Sequence, residues 1–167
     1  ALLALVLGVR INLRRSRLAE LGMTAILHDI GKSRLPRALM EKAGAFTPEE
    51  REILKQHPTL AVKTLLRTRQ YNESLLKRIM VLHEHHRAPR EGEELHPYSR
   101  IIAVAEQFDA LSSQRPYRAA LRPDQAIRRV LALAGSNLDR DMVHLFVHTI
   151  GLYPAGTLLE LSSGEKA

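Results

Sequence analysis

Apolar residues recur along most of the chain with the spacing of one face of an α-helix. Over residues 16–27 they fall at every third or fourth position, which predicts a helix with one buried face. The same pattern predicts further helices near residues 58–66, 73–86, 98–113, 123–134 and 138–150. Only the segment GTLLELSSGE, close to the end of the sequence, favours a strand and a turn.

The sequence Thr47-Pro48-Glu49-Glu50 predicts the start of another helix. Thr47 suits the N-cap, Pro48 suits the first turn, and Glu50 completes a capping box. No internal repeat, low-complexity stretch or interdomain linker interrupts the series of helices. We therefore expect one all-α domain over residues 1–167, a compact bundle of about six to eight helices with a short β-like C-terminal tail.

Length and composition exclude several classes of protein. A chain of 167 residues is long enough for one substantial core. It contains no cysteine, which excludes disulfides and thiolate metal sites and fits a reducing compartment, so we expect a cytoplasmic protein. The longest apolar run, residues 1–9, is too short to span a bilayer. Because the sequence has no initiator Met, we expect it to be a segment of a longer multidomain protein with a regulatory domain upstream.

The formal charge of +7 comes mostly from arginine, which is densest at Arg10, Arg14, Arg15 and Arg17. Such a charge favours an anionic partner, and a helical nucleic-acid binder is one hypothesis. A solvated helix face is the simpler explanation of the cluster, and no aromatic residues alternate with these arginines to stack on bases. The charge therefore does not select a function by itself.

Several polar residues stand at helix ends or within apolar segments, where burial would be costly without a partner. They are His28, Asp29, His57, His83, His85, His86, Glu106 and Asp109, of which the last two are three residues apart and so lie on one helix face. A single buried histidine usually hydrogen-bonds within the core, and a histidine at a helix C-terminus can simply interact with the helix dipole. Taken together, however, these residues favour a site for a pair of metal ions.

The residue types indicate which chemistry such a site would support. Imidazole and carboxylate groups suit Fe, Mn, Zn or Ni. The two oxygens of Asp29 can bridge two ions, and ions about 3.5–4 Å apart activate a water and stabilise a phosphoryl transition state. Lys32 follows Asp29 by about one helical turn and would face an anionic substrate. The pattern therefore favours hydrolysis of a phosphate ester.

Five segments, in order along the chain, are similar to a known family. They read LHDIGKSRLP, FTPEEREILKQHPTLAVKTL, EHHR, SRIIAVAEQFDALSSQRPYR and IGLYPAGTLLELSSGE. This set resembles the HD-GYP domains, a subgroup of the HD phosphohydrolases that hydrolyses cyclic di-GMP in bacteria. The resemblance covers nearly the whole chain and implies the helical bundle of an HD domain.

The resemblance also implies roles for individual residues. The metal ligands would be His28, Asp29, His57, His85, His86 and Glu106, the last in place of an aspartate of the family. Lys32, Arg115 and Arg118 fall where the family holds substrate phosphates, and Asp29 and Lys32 would carry the catalysis. We therefore expect the ligand residues to converge around Asp29. The implied cofactor is a pair of divalent transition metal ions, with Fe or Mn ranked before Zn or Ni.

The implied function is that of a metal-dependent phosphodiesterase, which hydrolyses cyclic di-GMP or a related phosphate ester with a metal-activated water. Its partners would be the cyclic dinucleotide and the upstream regulatory domain, and homodimerisation is left open. The alternative is a catalytically degenerate domain that keeps the fold and serves in signalling as a ligand sensor or a protein-interaction module.

Departures from the family pattern bear on activity. The loop APREGEELHPY after the histidine pair is shorter than usual and lacks Gly-Tyr-Pro, so we expect weak or lost activity. Arg87 occupies the place of a glutamate that usually follows the pair, and the early ligand of the family is expected upstream of Ala1. No metal is assigned to the remaining histidines, His83, His96, His144 and His148.

Overall fold

The computed structural model describes residues 1–69, 71–114, 119–154 and 157, and their regular elements are helices, as the all-α prediction required. The helices are α1 (Leu2–Arg10), α2 (Arg15–Leu27), α3 (Arg37–Met40), α4 (Pro48–Leu54), α5 (His57–Leu66), α6 (Glu73–Glu84), α7 (Pro97–Ser112), α8 (Pro123–Leu131) and α9 (Arg140–Ile150), with a 3₁₀ helix (Ile30–Arg34) between α2 and α3. Apart from the single-turn α3, the described residues form eight α-helices, within the expected range. The predicted β-like tail, residues 156–165, lies outside the described residues except for Thr157.

Side-chain caps set where several helices begin. At the start of α4, Glu50 N donates to Thr47 Oγ1 over 3.3 Å and Thr47 N donates to Glu50 Oε2 over 2.8 Å, which is the predicted capping box. Asn72 and Asp139 cap α6 and α9, each accepting from the backbone N–H three residues later, at 2.8 and 2.9 Å. These caps explain why the starts of the three helices lie close to the predicted positions.

Two predicted helices end earlier than their apolar patterns indicated. α6 ends at Glu84, so that His85 and His86 follow the helix instead of belonging to its last turn. α8 ends at Leu131, because the chain then turns tightly and Gly135 adopts a positive φ of 79°. The apolar period of a segment thus predicts that a helix exists more reliably than where it stops.

α7 is the central helix of the main core, where it packs against α1, α8 and α9. Its buried apolar side chains are Tyr98, Ile101, Ile102, Val104, Ala105, Phe108 and Leu111. The ring of Phe108 lies 5.1 Å from that of Phe146 on α9, measured between centroids. Burial of a large apolar side chain contributes about 1.5–3 kcal/mol. Because this core holds α7 firmly, it also fixes the position of Glu106 on that helix.

A smaller core lies between α5 and α6. Its buried members are Ala61, Leu65, Leu75 and Leu82, and Leu27, Ile30 and Ile79 pack against them. Since Leu27 ends α2 and Ile30 begins the 3₁₀ helix, this core holds the connection between them against α5 and α6. The end of α2, the start of α5 and the end of α6 are thereby brought together.

α1 contains most of the longest apolar run of the sequence and packs on α2. A Cβ on Gly8 would lie 2.8 Å from side-chain atoms of both Leu18 and Leu21, so the missing side chain lets the two helices approach closely. Neither α1 nor any other helix in the described part of the chain is long and apolar enough to cross a membrane.

Candidate metal centre

The predicted ligand residues come together where these helix ends meet. They are His28 after α2, Asp29 before the 3₁₀ helix, His57 at the start of α5, His85 and His86 after α6, and Glu106 within α7. Their ligand atoms form two groups, and within each group all the atoms lie within 4.8 Å of one another. One group contains Asp29, His57, His85 and His86, and the other contains His28, Asp29 and Glu106. The expected convergence is present, and Asp29 belongs to both groups.

The carboxylate of Asp29 lies at the centre of the site. Its Oδ1 is 3.3 Å from His57 Nε2, while its Oδ2 is 3.5 Å from His28 Nε2 and 2.5 Å from Lys32 Nζ. Burial raises the pKa of Asp29, but His28, Lys32 and His57 together lower it by more, so the pKa lies below its ordinary value. Asp29 is thus an ionised carboxylate whose two oxygens face different histidines.

Three histidines are held in a single ring orientation by hydrogen bonds to the ends of the preceding helices. In His28, His57 and His85, Nδ1 donates a hydrogen bond to the carbonyl oxygen three residues earlier, at 2.9, 2.7 and 2.8 Å. Because a carbonyl oxygen only accepts, Nδ1 carries the proton and Nε2 of the neutral ring is an acceptor, which in His57 lies 3.1 Å from His86 Nε2. Metal-binding histidines typically have such a second hydrogen bond, which fixes the tautomer and the ring plane.

Burial keeps two of these rings neutral. Burial lowers the pKa of His57, and burial together with the neighbouring His86 and His28 lowers the pKa of His85 to about 3. His57 and His85 are 5% and 1% exposed, whereas the side chain of His86 is 46% exposed and faces solvent. Neutral imidazole is the form that binds a metal ion.

Three buried polar atoms of this site have no hydrogen-bond partner among the described residues. They are His28 Nε2, Asp29 Oδ1 and His85 Nε2. Each unsatisfied buried polar atom costs about 1–3 kcal/mol. Divalent cations would contact all three atoms, and a donor set of imidazole and carboxylate suits Fe, Mn, Zn or Ni. The residues present therefore fit transition metal ions.

Glu106 supplies the carboxylate of α7. Its Oε2 lies 3.9 Å from both His28 Nε2 and His86 Nδ1, and burial raises its pKa. Asp109 stands one turn later on the same helix, but it is exposed and belongs to neither ligand group. Although Glu106 and Asp109 are spaced to lie on one helix face, Asp109 therefore does not belong to the site.

The 3₁₀ helix lies directly on the first turn of α5. Gly31 is buried there against the backbone of His57 and Ala61, with no space for a side chain. Such close contact between backbones requires glycine. It sets the distance between Asp29, which precedes the 3₁₀ helix, and His57, which begins α5.

A cavity of about 870 Å³ opens beside the ligand groups, and we call it the site cavity. Asp29, Lys32, His57 and His86 form one part of its lining. Its volume lies towards the upper end of the range for small-molecule sites, about 300–1,000 Å³. The cavity therefore has room for more than an inorganic phosphate next to the ligand groups.

Of the predicted phosphate-binding residues, Lys32 is the one that the structure describes, and it lies at the site. Arg115 and Arg118 lie outside the described residues. Arg87, which replaces a glutamate of the family pattern, pairs with Glu93 within the loop after α6.

The other histidines belong to neither ligand group among the described residues. His83, His144 and His148 are exposed on their helices. His96 is the N-cap of α7, and its Nδ1 accepts a hydrogen bond from Tyr98 N over 3.1 Å. This bond gives His96 a structural role at the start of the helix that carries Glu106.

Glu84 holds the histidine pair in place, and the sequence pattern did not single it out. Its Oε2 accepts hydrogen bonds from Ser99 Oγ at 2.8 Å and from His96 N at 3.0 Å. These bonds tie the end of α6, next to His85 and His86, to the start of α7. The sequence signal for this role was the carboxylate directly before the histidine pair in EHHR, but its hydrogen-bond partners lie at the start of α7.

A family model and several known proteins are similar to this chain. Residues 1–142 match the model of the HD domain. A cyclic di-GMP phosphodiesterase of Pseudomonas aeruginosa is 31% identical over 170 residues, covering 98% of this chain and 40% of that protein. A cyclic di-GMP phosphodiesterase of Thermotoga maritima is 35% identical over 135 residues, which cover 77% of this chain and 36% of that protein. A 3′3′-cGAMP-specific phosphodiesterase of Vibrio cholerae is 26% identical over 127 residues, which cover 72% of this chain and 24% of that protein. The chain therefore spans two fifths or less of the length of each of these three relatives.

Proposed function

The chain belongs to the HD-GYP type of the HD domain family, and from this premise we propose that it is a metal-dependent phosphodiesterase acting on a cyclic dinucleotide. The similar proteins of P. aeruginosa and T. maritima are named cyclic di-GMP phosphodiesterases, so cyclic di-GMP is the first substrate to test. The similar protein of V. cholerae is named for 3′3′-cGAMP, which makes that dinucleotide the second.

The position of Asp29 between the two ligand groups is the observation that carries this proposal. One of its oxygens faces His57, and the other faces His28. A carboxylate with one oxygen towards each group suits a centre for two cations. Two divalent ions, when bound, would supply positive charge for a phosphoryl transition state and lower the pKa of a water.

The side chains of the protein would bind and orient the phosphate. Lys32 Nζ is held 2.5 Å from Asp29 Oδ2, so a positive charge stays in the site cavity beside the ligand groups. There it would pair with a phosphate oxygen as a point charge. Arg115 and Arg118, which follow the end of α7 in the sequence, are proposed to bind further phosphate oxygens.

Hydrolysis assays on metal-loaded protein test the proposal. The protein is supplied with Mn²⁺ or Fe²⁺ and given cyclic di-GMP, 3′3′-cGAMP and bis(p-nitrophenyl) phosphate in turn. We expect metal-dependent cleavage, slow for cyclic di-GMP because the loop lacks Gly-Tyr-Pro. Asp29→Ala should abolish cleavage, whereas Asp109→Ala removes an exposed carboxylate outside both groups and should retain it. No cleavage of any of the three substrates with either metal would overturn the proposal.

The second candidate function is a degenerate domain that binds a dinucleotide and does not cleave it. The altered loop favours this candidate, because Arg87 pairs with Glu93 there and the Gly-Tyr-Pro sequence is missing. Stoichiometric binding of metal and cyclic di-GMP without hydrolysis would support the sensor over the enzyme.

A further inference from the structure

We propose that the outer side of the hairpin formed by α1 and α2 is a docking surface for a membrane that contains anionic lipids. We call this side the hairpin face. It has an exposed apolar stripe on each helix, the α1 stripe of Leu2, Val6 and Val9 and the α2 stripe of Ala19, Met23 and Ile26. The inference is independent of the proposed function, because these described residues belong to neither ligand group and do not line the site cavity.

The two stripes lie on the same side of the hairpin, because the contact between the helices has a buried edge and an outer edge. At the buried edge, a Cβ on Gly8 would lie 2.8 Å from Leu21, and both residues are buried. At the outer edge, a Cβ on Gly22 would lie 3.2 Å from the end of Leu5, which is half-buried. Each stripe has members three residues before and four residues after its residue of the outer edge, so both stripes border that edge. The hairpin face is therefore one continuous apolar surface.

The side chains of the stripes do not contribute to the core. Leu2, Ile26 and Val9 are 75%, 67% and 60% exposed, whereas Leu7 and Leu21 on the same two helices are fully buried. Single exposed apolar residues are ordinary on a protein surface, but a contiguous patch of them indicates a contact surface. The hairpin face would thus be stabilised by contact with an apolar phase.

Three arginines lie at the turn end of the hairpin face, and we call Arg10, Arg14 and Arg15 the arginine cluster. All three are exposed, and none forms an ion pair or a side-chain hydrogen bond within the described part of the chain. Arg15 continues the α2 stripe by one turn, and Arg10 ends α1. Glu20 is the only acidic residue of the sequence 1–27, and it pairs with Arg17 instead. The apolar surface therefore adjoins uncompensated positive charge.

An anionic bilayer matches both parts of the hairpin face better than a second copy of the chain does. A symmetric dimer through this face would bring two arginine clusters into one interface, where the hairpin offers no unpaired carboxylate. A bilayer offers anionic headgroups above an apolar layer, so the arginines can pair with lipid phosphates while the stripes enter the headgroup boundary. Each arginine near such a surface strengthens binding about fivefold.

Co-sedimentation of the whole chain with lipid vesicles tests the inference without any cleavage step. One kind of vesicle is phosphatidylcholine alone, and the other is equal parts of phosphatidylcholine and phosphatidylglycerol. The protein should bind the mixed vesicles at least about tenfold more tightly, and added salt should weaken this binding because it screens the headgroup charge. Comparable binding to both kinds of vesicle, or binding to neither, would overturn the inference.

Pairs of matched variants assign the binding to the hairpin face. Ile26→Gln removes an exposed apolar side chain and should weaken binding to the mixed vesicles about tenfold, whereas Leu76→Gln, at a 60% exposed residue of α6, should not. Arg15→Gln should weaken this binding about fivefold, and Arg129→Gln, at an exposed residue of α8, should leave it nearly unchanged. Urea unfolding checks that the variants fold, and Val9→Gln replaces Ile26→Gln if that variant does not.

Two further results would overturn the inference. One is an equal loss in Arg15→Gln and Arg129→Gln, because the vesicles would then respond to the net charge of the chain and not to this face. The other is a wild-type dimer in sedimentation velocity that Ile26→Gln converts to a monomer with unchanged vesicle binding, which would assign the hairpin face to a second copy. Neither result depends on whether the chain cleaves a phosphodiester.

Discussion

Gly31 lies so close to the carbonyl oxygen of His57 that a Cβ built on the glycine would stand 1.9 Å from that oxygen. The next nearest atom, the backbone N of Ala61, would be 2.6 Å away. Both atoms belong to the backbone of α5, so neither can rotate aside as the end of a side chain can. This contact therefore fixes the distance between Asp29 and His57 more tightly than side-chain packing would.

Replacing Gly31 by alanine should force the 3₁₀ helix away from α5. We expect Gly31→Ala to destabilise the fold by about 2 kcal/mol or more, measured by urea unfolding, and to reduce the bound metal. Gly22→Ala is the matched control, because its Cβ would meet only a flexible end of Leu5 at 3.2 Å, and its stability should change by less than about 1 kcal/mol. Equal metal content in Gly31→Ala and wild-type protein would show that the contact does not position the ligands.

The ligand groups predict how much metal each variant loses. Asp29 belongs to both groups, so Asp29→Ala should lose both ions per chain. His57 belongs to one group and Glu106 to the other, so His57→Ala and Glu106→Ala should each lose about one equivalent. Elemental analysis of protein reconstituted with Mn²⁺ measures this ratio. Complete loss of metal in all three variants would contradict two separable ion positions.

Local sequence signals were sufficient to predict most of the helices. The capping box at Thr47 and Glu50, for example, depends on residues three positions apart, and the structure contains it. The ends of α6 and α8 were less predictable, since a turn such as that at Gly135 competes with the apolar period there. The start of a helix thus depends on sequence signals that are more local than those that determine its end.

The residue types of the candidate site were predictable, but the contacts that hold these residues in place were less so. Histidines and carboxylates at helix ends are conspicuous because burial of each alone is unfavourable. The contact of Gly31 with His57 and the bonds from Glu84 to the start of α7 join residues far apart in sequence. Such contacts leave no periodic pattern, and the carboxylate directly before the histidine pair is the one local feature that points to Glu84.

Loss of the Glu84 carboxylate should loosen the histidine pair. Glu84→Ala leaves the buried hydroxyl of Ser99 and the backbone N–H of His96 without their acceptor, which costs about 1–3 kcal/mol. Thermal unfolding should show this loss, and Glu84→Gln should recover part of it because an amide oxygen still accepts. Glu52→Ala, on the exposed face of α4, is the control and should be nearly neutral. A Glu84→Ala variant as stable as wild type would contradict this role.

The capping box at Thr47 should stabilise the start of α4. Thr47→Ala removes the acceptor for Glu50 N and should destabilise the protein by about 1 kcal/mol, whereas Thr47→Ser keeps the hydroxyl and should lose much less. Urea unfolding of the two variants measures the difference. Equal stability of Thr47→Ala and Thr47→Ser would mean that the cap contributes nothing to the folded state.

Lys32 distinguishes a phosphate site from a bare metal site. Its ammonium group lies 2.5 Å from Asp29 Oδ2, so in the absence of substrate it competes with a cation for that oxygen. Lys32→Ala should therefore leave the metal content unchanged or raise it, while inorganic phosphate, titrated into Mn²⁺-loaded protein, should bind about tenfold more weakly. Lys32→Arg keeps the positive charge and should restore part of the affinity, and Lys63→Ala, an exposed residue of α5 outside the cavity, should change neither quantity. If Lys32→Ala loses metal together with phosphate affinity, then the lysine holds Asp29 in position, and the phosphate is bound by other groups.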